Sequence, residues 1–137
     1  GLGAFEGVSL FQFLKIAKAE LGNGQDPGKR RYVGDHYYRD RDKEAVWPIG
    51  ALLEAKIFLD RAIKQFNSGN PRTGDNYRQR GLARLQQMIA LKDQHGHIPE
   101  LLKHENGNLI PNENHLLWNE ALMIQVISRA IVADRLP

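Results

Sequence analysis

Apolar residues recur at helical spacing in four segments of the chain, and these segments predict four main helices. The first segment covers residues 7–21, and the glycine- and proline-containing stretch GNGQDPG ends it. The second begins at Trp47-Pro48 and continues to about residue 66, with the proline in the first turn, where its missing N–H costs nothing. The third covers residues 75–92 and follows NSGNPRTGD, a segment whose turn-forming residues predict a loop.

The fourth predicted helix, residues 116–133, has apolar residues on nearly all of its sides. Its polar residues after Trp118 are Asn119, Glu120, Gln125, Ser128 and Arg129. A helix that is apolar all round has to be covered on every side. Four helices offer few such places, so we expect this helix either to belong to a larger assembly or to mediate self-association.

The loops between these helices are long and show no clear strand pattern. VGDHYY and GNLIP are the best candidates for strands, and both are too short and too polar to predict a sheet. The length of 137 residues fits one domain. We therefore predict a single all-α domain over residues 1–137, with helical hairpins whose long loops gather at one end and form a pocket.

Charge and composition exclude several classes of function. The net charge is +3, and the one dense basic run, Lys29-Arg30-Arg31, is followed at once by acidic residues. A surface that follows a phosphate backbone is therefore not predicted, and neither is a nucleic-acid partner. The absence of cysteine excludes disulfides and thiolate metal sites. No apolar run approaches the roughly 18 residues of a membrane span, so no membrane partner is predicted.

The first long loop, RRYVGDHYYRDRDKEAVWP at residues 30–48, contains the residue types that bind sugars. Aromatic rings stack on the C–H faces of a sugar, and planar charged groups form hydrogen bonds to paired hydroxyls. The candidates in this loop are Arg31, Asp35, Tyr37, Tyr38 and Trp47. The alternative is that the aromatic residues only fill a corner of the fold and that Arg31 pairs with Asp35.

The second long loop, residues 95–115, contains the tetrapeptide Ile98-Pro99-Glu100-Leu101. A carboxylate between proline and aliphatic residues is partly removed from water, which suits a general base. The alternative is a solvated carboxylate or one that caps a helix. Four histidines lie in or beside this loop, but their spacing fits no helical ligand pair, so neither a metal nor another cofactor is predicted.

Taken together, the two loops resemble the glucoamylase-type glycoside hydrolases of family 15. RYVGDHYY at residues 31–38, followed by WP at 47–48, is similar to the arginine loop of that family. The same stretch is similar to the alpha and beta regulatory subunits of phosphorylase kinase, which share the fold. IPEL at residues 98–101, ENG at 105–107 and LWNEAL at 117–122 follow in the expected order. The resemblance extends over about residues 4–134.

The resemblance implies an (α/α)6 toroid, in which an outer ring of helices encloses an inner ring. The chain would be the C-terminal portion of that toroid, and the remaining N-terminal part would be its partner. This expectation agrees with the opening residues, GLGAFEGVSL, which lack an initiator Met and resemble the interior of a longer protein.

For function, the resemblance implies an inverting hydrolase that acts on an α-linked glucan or oligosaccharide. By position, Glu100 matches the general base, Arg31 and Asp35 match residues that bind the hydroxyls of the terminal sugar, and Trp47 matches an aromatic residue of the subsite wall. The further candidate binding residues are Tyr37 and Trp118. The general acid of the family lies in earlier helices, and no residue of this chain corresponds to it.

Two departures from the glucoamylase pattern define an alternative. Gly34 stands where the family has an acidic residue, and the charged run at residues 40–44 replaces an Asn-Pro pair. The Pro-Glu-Leu form at residues 99–101 and the approach to Trp47-Pro48 favour the phosphorylase kinase branch, which implies a regulatory or glucan-binding domain without hydrolysis. A third hypothesis is an unrelated helical interaction module.

Overall fold

The computed structural model describes residues 26–31, 35–41 and 43–136, and within them the chain is mostly helical. The described elements are the helices α1 (Pro48–Asn67), α2 (Pro71–Leu91) and α3 (Leu117–Asp134) and the strands β1 (Leu102–Glu105) and β2 (Asn108–Pro111). The second and fourth predicted helices are confirmed as α1 and α3. The first predicted helix, residues 7–21, lies outside the described residues.

The start of α2 lies four residues earlier than predicted, at Pro71. The loop prediction for residues 71–74 is therefore wrong. Pro71 occupies the first turn, where the lack of an N–H is harmless, and Gly74 donates its N–H to the carbonyl of Asn70 at 2.9 Å. Turn-forming residues thus lie inside the first turn of the helix.

Helix α1 lies between α2 and α3 and packs against both. Its fully buried residues include Leu52 and Leu59, which join Met88 of α2 and Val126 of α3 in the main apolar core. Ile98, from the loop after α2, extends this core toward the end of the bundle where α1 and α3 begin. Both long loops therefore lie at the same end of the bundle.

The prediction of an all-α chain without a sheet is wrong in the second loop. Strands β1 and β2 pair antiparallel, with Leu102 opposite Pro111 and Glu105 opposite Asn108. Asn106 and Gly107 connect them, with φ angles of 51° and 80°. Two consecutive left-handed residues form the turn that matches the twist of a hairpin, and Asn-Gly is the preferred pair for it. This local turn chemistry outweighs the polarity of the strands.

Helix α3 buries only part of its apolar surface in the described structure. Asn119, Met123, Val126 and Ala133 are buried, whereas Leu117, Trp118 and Ile124 are 74%, 75% and 69% exposed. None of the described residues covers this outer face. The expectation that a further surface covers it stays a prediction.

Candidate functional site

Backbone hydrogen bonds join the two long loops directly. Val46 donates its N–H to the carbonyl of Leu102 at 2.8 Å, and Leu102 donates to Val46 at 2.7 Å. In the same way, Lys29 and Trp47 exchange backbone bonds of 3.0 and 2.7 Å, which closes the base of the first loop. The loop that carries Arg31 is therefore fixed beside the loop that carries Glu100.

A buried ionic cluster attaches the first loop to the helices. The carboxylate of Glu54 in α1 accepts hydrogen bonds from the ammonium of Lys29 at 2.8 Å and from Nε of Arg84 in α2 at 2.9 Å. Arg84 also donates to the carbonyl of Asp26 at 2.7 Å. Burial acts to raise the pKa of Glu54, but the hydrogen bonds from Lys29 and Arg84 outweigh it, and this pKa lies below its ordinary value. The cluster holds residues 26–29 against α1 and α2.

Arg31 and Asp35 form the centre of the first loop. Arg31 donates through Nε and Nη2 to the two carboxylate oxygens of Asp35, both at 2.9 Å. Asp35 is fully buried and also accepts the backbone N–H of Tyr37 at 3.0 Å. The sequence alternative that Arg31 pairs with Asp35 is therefore observed. Because 42% of the Arg31 side chain is exposed, this pairing is compatible with both interpretations.

Aromatic rings surround the guanidinium of Arg31. Its central carbon lies 4.6 Å from the ring centroid of Trp47 and 5.4 Å from that of Tyr37. Trp47 is only 7% exposed, whereas Tyr37 and Tyr38 are 45% and 43% exposed. Trp47 thus has the packing role of the alternative interpretation, and the two tyrosines are the rings that present an open surface.

Glu100 lies close enough to this cluster to act on it electrostatically. Partial desolvation and then the negative charge of Glu100 raise the pKa of Tyr37, against the lowering effect of Arg31. The backbone N–H of Glu100 donates to the carbonyl of Asn114 at 2.9 Å, and its half-buried carboxylate accepts a long bond of 3.4 Å from Asn112. The structure thus brings Arg31, Asp35, Tyr37 and Trp47 into one cluster, and backbone bonds hold the loop that carries Glu100 beside it.

Trp118 is the candidate that the structure does not bring into this cluster. It is 75% exposed in the first turn of α3, and in the described part of the chain no ring or cation contact joins it to the other candidates. Its neighbour Asn119 is buried and donates through Nδ2 to the carbonyl of Pro99 at 3.1 Å. Asn119 therefore positions the loop that carries Glu100. The only sequence signal for this role is an amide near the start of a mostly apolar helix.

A second group of polar side chains consists of His97 and His115, near the two ends of the same loop, and Glu120 in α3. Nδ1 of His97 lies 2.5 Å from Oε1 of Glu120, and the rings of His97 and His115 stack with centroids 4.2 Å apart. One ligand atom from each of these three residues lies within 4.8 Å of the other two. No sequence pattern links these two histidines to Glu120, which lies in the next helix.

No helix in the described part of the chain combines the length and the apolar character needed to cross a bilayer. Comparisons with protein-family models, with curated proteins and with solved structures find no match to this chain. The function is therefore inferred from the residues of the two loops and from their geometry.

Proposed function

We propose that this chain is part of an inverting α-glucan hydrolase of the glucoamylase type, to which it supplies the general base and the sugar-binding loop. One observation carries the proposal. Backbone pairing of Val46 with Leu102 joins two loops that are distant in sequence. Two motifs that carry the family resemblance thus share one end of the helices.

The first loop supports recognition of a sugar ring. Asp35 holds the guanidinium of Arg31 in a fixed plane, and the ring of Trp47 packs against that plane. A pre-organised planar donor loses little entropy when it binds paired hydroxyls. The exposed rings of Tyr37 and Tyr38, whose centroids are 4.7 Å apart at an interplanar angle of 87°, offer apolar faces for C–H groups.

In the proposed reaction, Glu100 removes a proton from a water molecule. The oxygen of that water attacks the anomeric carbon from the face opposite the leaving oxygen, so that configuration is inverted. The glycosidic C–O bond breaks, and the leaving oxygen takes a proton from a general acid. By resemblance, that acid belongs to earlier helices of the toroid, about 6.5–9.5 Å from the base. Asn112 and Asn114 hold Glu100 in place during these steps.

A regulatory, glucan-binding domain of the phosphorylase kinase type is the second candidate. The burial of Trp47 favours it, since a wall aromatic that is 7% exposed presents little ring surface to a sugar. In that case Arg31 and the two tyrosines bind glucan, and Glu100 stabilises the loop without activating water.

Titration calorimetry with maltotriose tests binding, and release of glucose tests catalysis. We expect the chain to bind maltotriose weakly, Arg31→Ala to abolish binding, and Arg39→Ala, in the same loop, to leave it unchanged. We expect no turnover by the chain alone. Failure to bind, or equal loss of binding in both variants, would contradict both candidates.

A measurement on the chain combined with the preceding segment of its own gene distinguishes the two candidate functions. Hydrolysis that appears in the combined protein and disappears with Glu100→Gln supports the hydrolase. Binding without hydrolysis in the combined protein supports the regulatory domain. Turnover by the isolated chain that Glu100→Gln abolishes would show that the general acid lies within it.

A further inference from the structure

We propose that His97, His115 and Glu120 form a binding site for a divalent transition-metal ion of the zinc class. Two of the three ligands belong to the loop that carries Glu100, and the existence of the site does not depend on the proposed hydrolase activity. Two imidazoles and one carboxylate, from three separate positions along the chain, converge with ligand atoms no more than 4.8 Å apart. Sequence spacing alone predicts no metal here.

The ligand chemistry favours zinc over the hard cations. Imidazole nitrogen suits zinc, copper and nickel, whereas magnesium and calcium prefer sets of oxygen ligands. Zinc bonds are about 2.0–2.2 Å long for nitrogen and carboxylate oxygen, which places tetrahedral ligand atoms about 3.3 Å apart. The observed spacing, 2.5 Å between Nδ1 of His97 and Oε1 of Glu120 and up to 4.8 Å within the group, brackets that value. A bound ion would bring the three ligand atoms to that spacing through side-chain rotation.

The surrounding backbone holds each ligand in position. The carboxylate of Asp93 accepts the backbone N–H groups of His95 at 2.8 Å and of His97 at 2.9 Å. His115 pairs with Pro99 in an isolated β-bridge. Glu120 follows the buried Asn119, which binds the carbonyl of Pro99. Metal affinity increases when ligands are oriented before the ion arrives.

The site is open to solvent on one side. His115 is exposed, and the side chain of His97 is 39% exposed while that of Glu120 is 25% exposed. An ion can therefore enter, and water can take a fourth coordination position. Zinc sites with three protein ligands and one open position are typical of accessible centres, whereas structural sites use four protein ligands.

A bound ion would hold the segment around Pro99 in place through its three ligands. His97 precedes this proline, His115 pairs with it, and Glu120 belongs to the helix that binds its carbonyl. The ion would then fix the position of Glu100, which directly follows Pro99. The direct effect of the bound ion would be to make this loop more ordered.

Zinc binding to the full chain is measured by competition with a chromophoric chelator, and cobalt absorption reports the geometry. We expect one zinc ion per chain and an intense visible cobalt spectrum of a four-coordinate site. His97→Ala, His115→Ala and Glu120→Gln should each weaken zinc binding by more than the roughly 10-fold that loss of an outer-shell partner costs. His104→Ala, outside the group, should leave binding unchanged, and calcium and magnesium should not compete.

His115→Ala removes an exposed side chain, so we expect this variant to fold like the wild type. Circular dichroism checks the fold of every variant. Absence of zinc binding by the folded chain would overturn the proposal. It would show that His97 and Glu120 form only a hydrogen-bonded pair. A loss in His104→Ala equal to that in His115→Ala would also overturn it, because binding would then be nonspecific.

Discussion

Arg31 donates two hydrogen bonds of 2.9 Å to Asp35, and the two side chains differ sharply in exposure. Asp35 is fully buried, whereas 42% of the side chain of Arg31 is accessible. The buried carboxylate is therefore neutralised by a guanidinium that is itself partly accessible to solvent.

Arg31→Ala should lower the free energy of unfolding by about 2 kcal/mol, because a buried carboxylate loses two charged donors. Arg31→Lys should recover only part of that loss, since an ammonium cannot bind both carboxylate oxygens in the same plane. Urea unfolding measures both effects. Arg39→Ala is the matched control, because among the described residues the Arg39 side chain bonds the backbone carbonyl of Arg41 in its own loop. Equal losses from Arg31→Ala and Arg39→Ala would contradict this account.

Glu54→Gln should destabilise the chain by about 3–5 kcal/mol at neutral pH, because it leaves Lys29 and Arg84 buried without their anion. The folded pKa of Glu54 lies below its ordinary value of 4.5, so its contribution is fully present above that pH. The contribution is lost as the pH falls through the folded pKa. Urea unfolding over a pH series measures the difference between wild type and variant.

The difference in the free energy of unfolding between wild type and Glu54→Gln should therefore shrink as the pH falls below 4.5. Glu113→Gln, at an exposed position in the second loop, is the control and should have little effect at any pH. A difference between wild type and Glu54→Gln that grows on acidification would show that the pKa shift has the opposite sign.

Gly81→Ala should destabilise the contact between α1 and α2. A Cβ atom at Gly81 would lie 2.7 Å from Cγ of Leu59, which is fully buried and has no room to move. Overpacking costs about 1–3 kcal/mol, which exceeds the roughly 0.5–1 kcal/mol that alanine gains over glycine in a helix. Gly74→Ala meets only the half-buried ring of Phe66 and should cost less. Thermal unfolding ranks the two variants, and the reverse order would contradict the prediction.

The outer face of α3 should make the isolated chain associate with itself. Ile124, Ile127 and Ile131 are 69%, 40% and 48% exposed, and a groove between α2 and α3 continues this apolar surface. Large exposed apolar patches are typical of interfaces. Light scattering should detect oligomers, and Ile124→Lys should reduce them. Gln125→Lys adds the same charge at an exposed polar position and should have less effect. A monomeric wild-type chain would contradict the prediction.

Local sequence patterns predicted the described helices well. Apolar periodicity and a proline in the first turn place the start of α1 at the observed residue, and α3 lies within one residue of its predicted bounds. Periodicity is a property of neighbouring residues, so it does not depend on the rest of the fold. The hairpin was missed even though Asn106-Gly107 is a local signal, because short polar strands carry little periodicity.

The candidate site also has one part that the local sequence predicts and another part that depends on tertiary contacts. Residue types in the loop at 30–48 predicted the group of Arg31, Asp35 and the aromatic residues, which are close in sequence. Proximity of that group to Glu100 depends on the backbone pairing of Val46 with Leu102. The pairing of His97 with Glu120 and the burial of Glu54 between two cations also join distant segments. Such contacts form only when the helices pack and bring their loops to one end, and no spacing within a single segment encodes them.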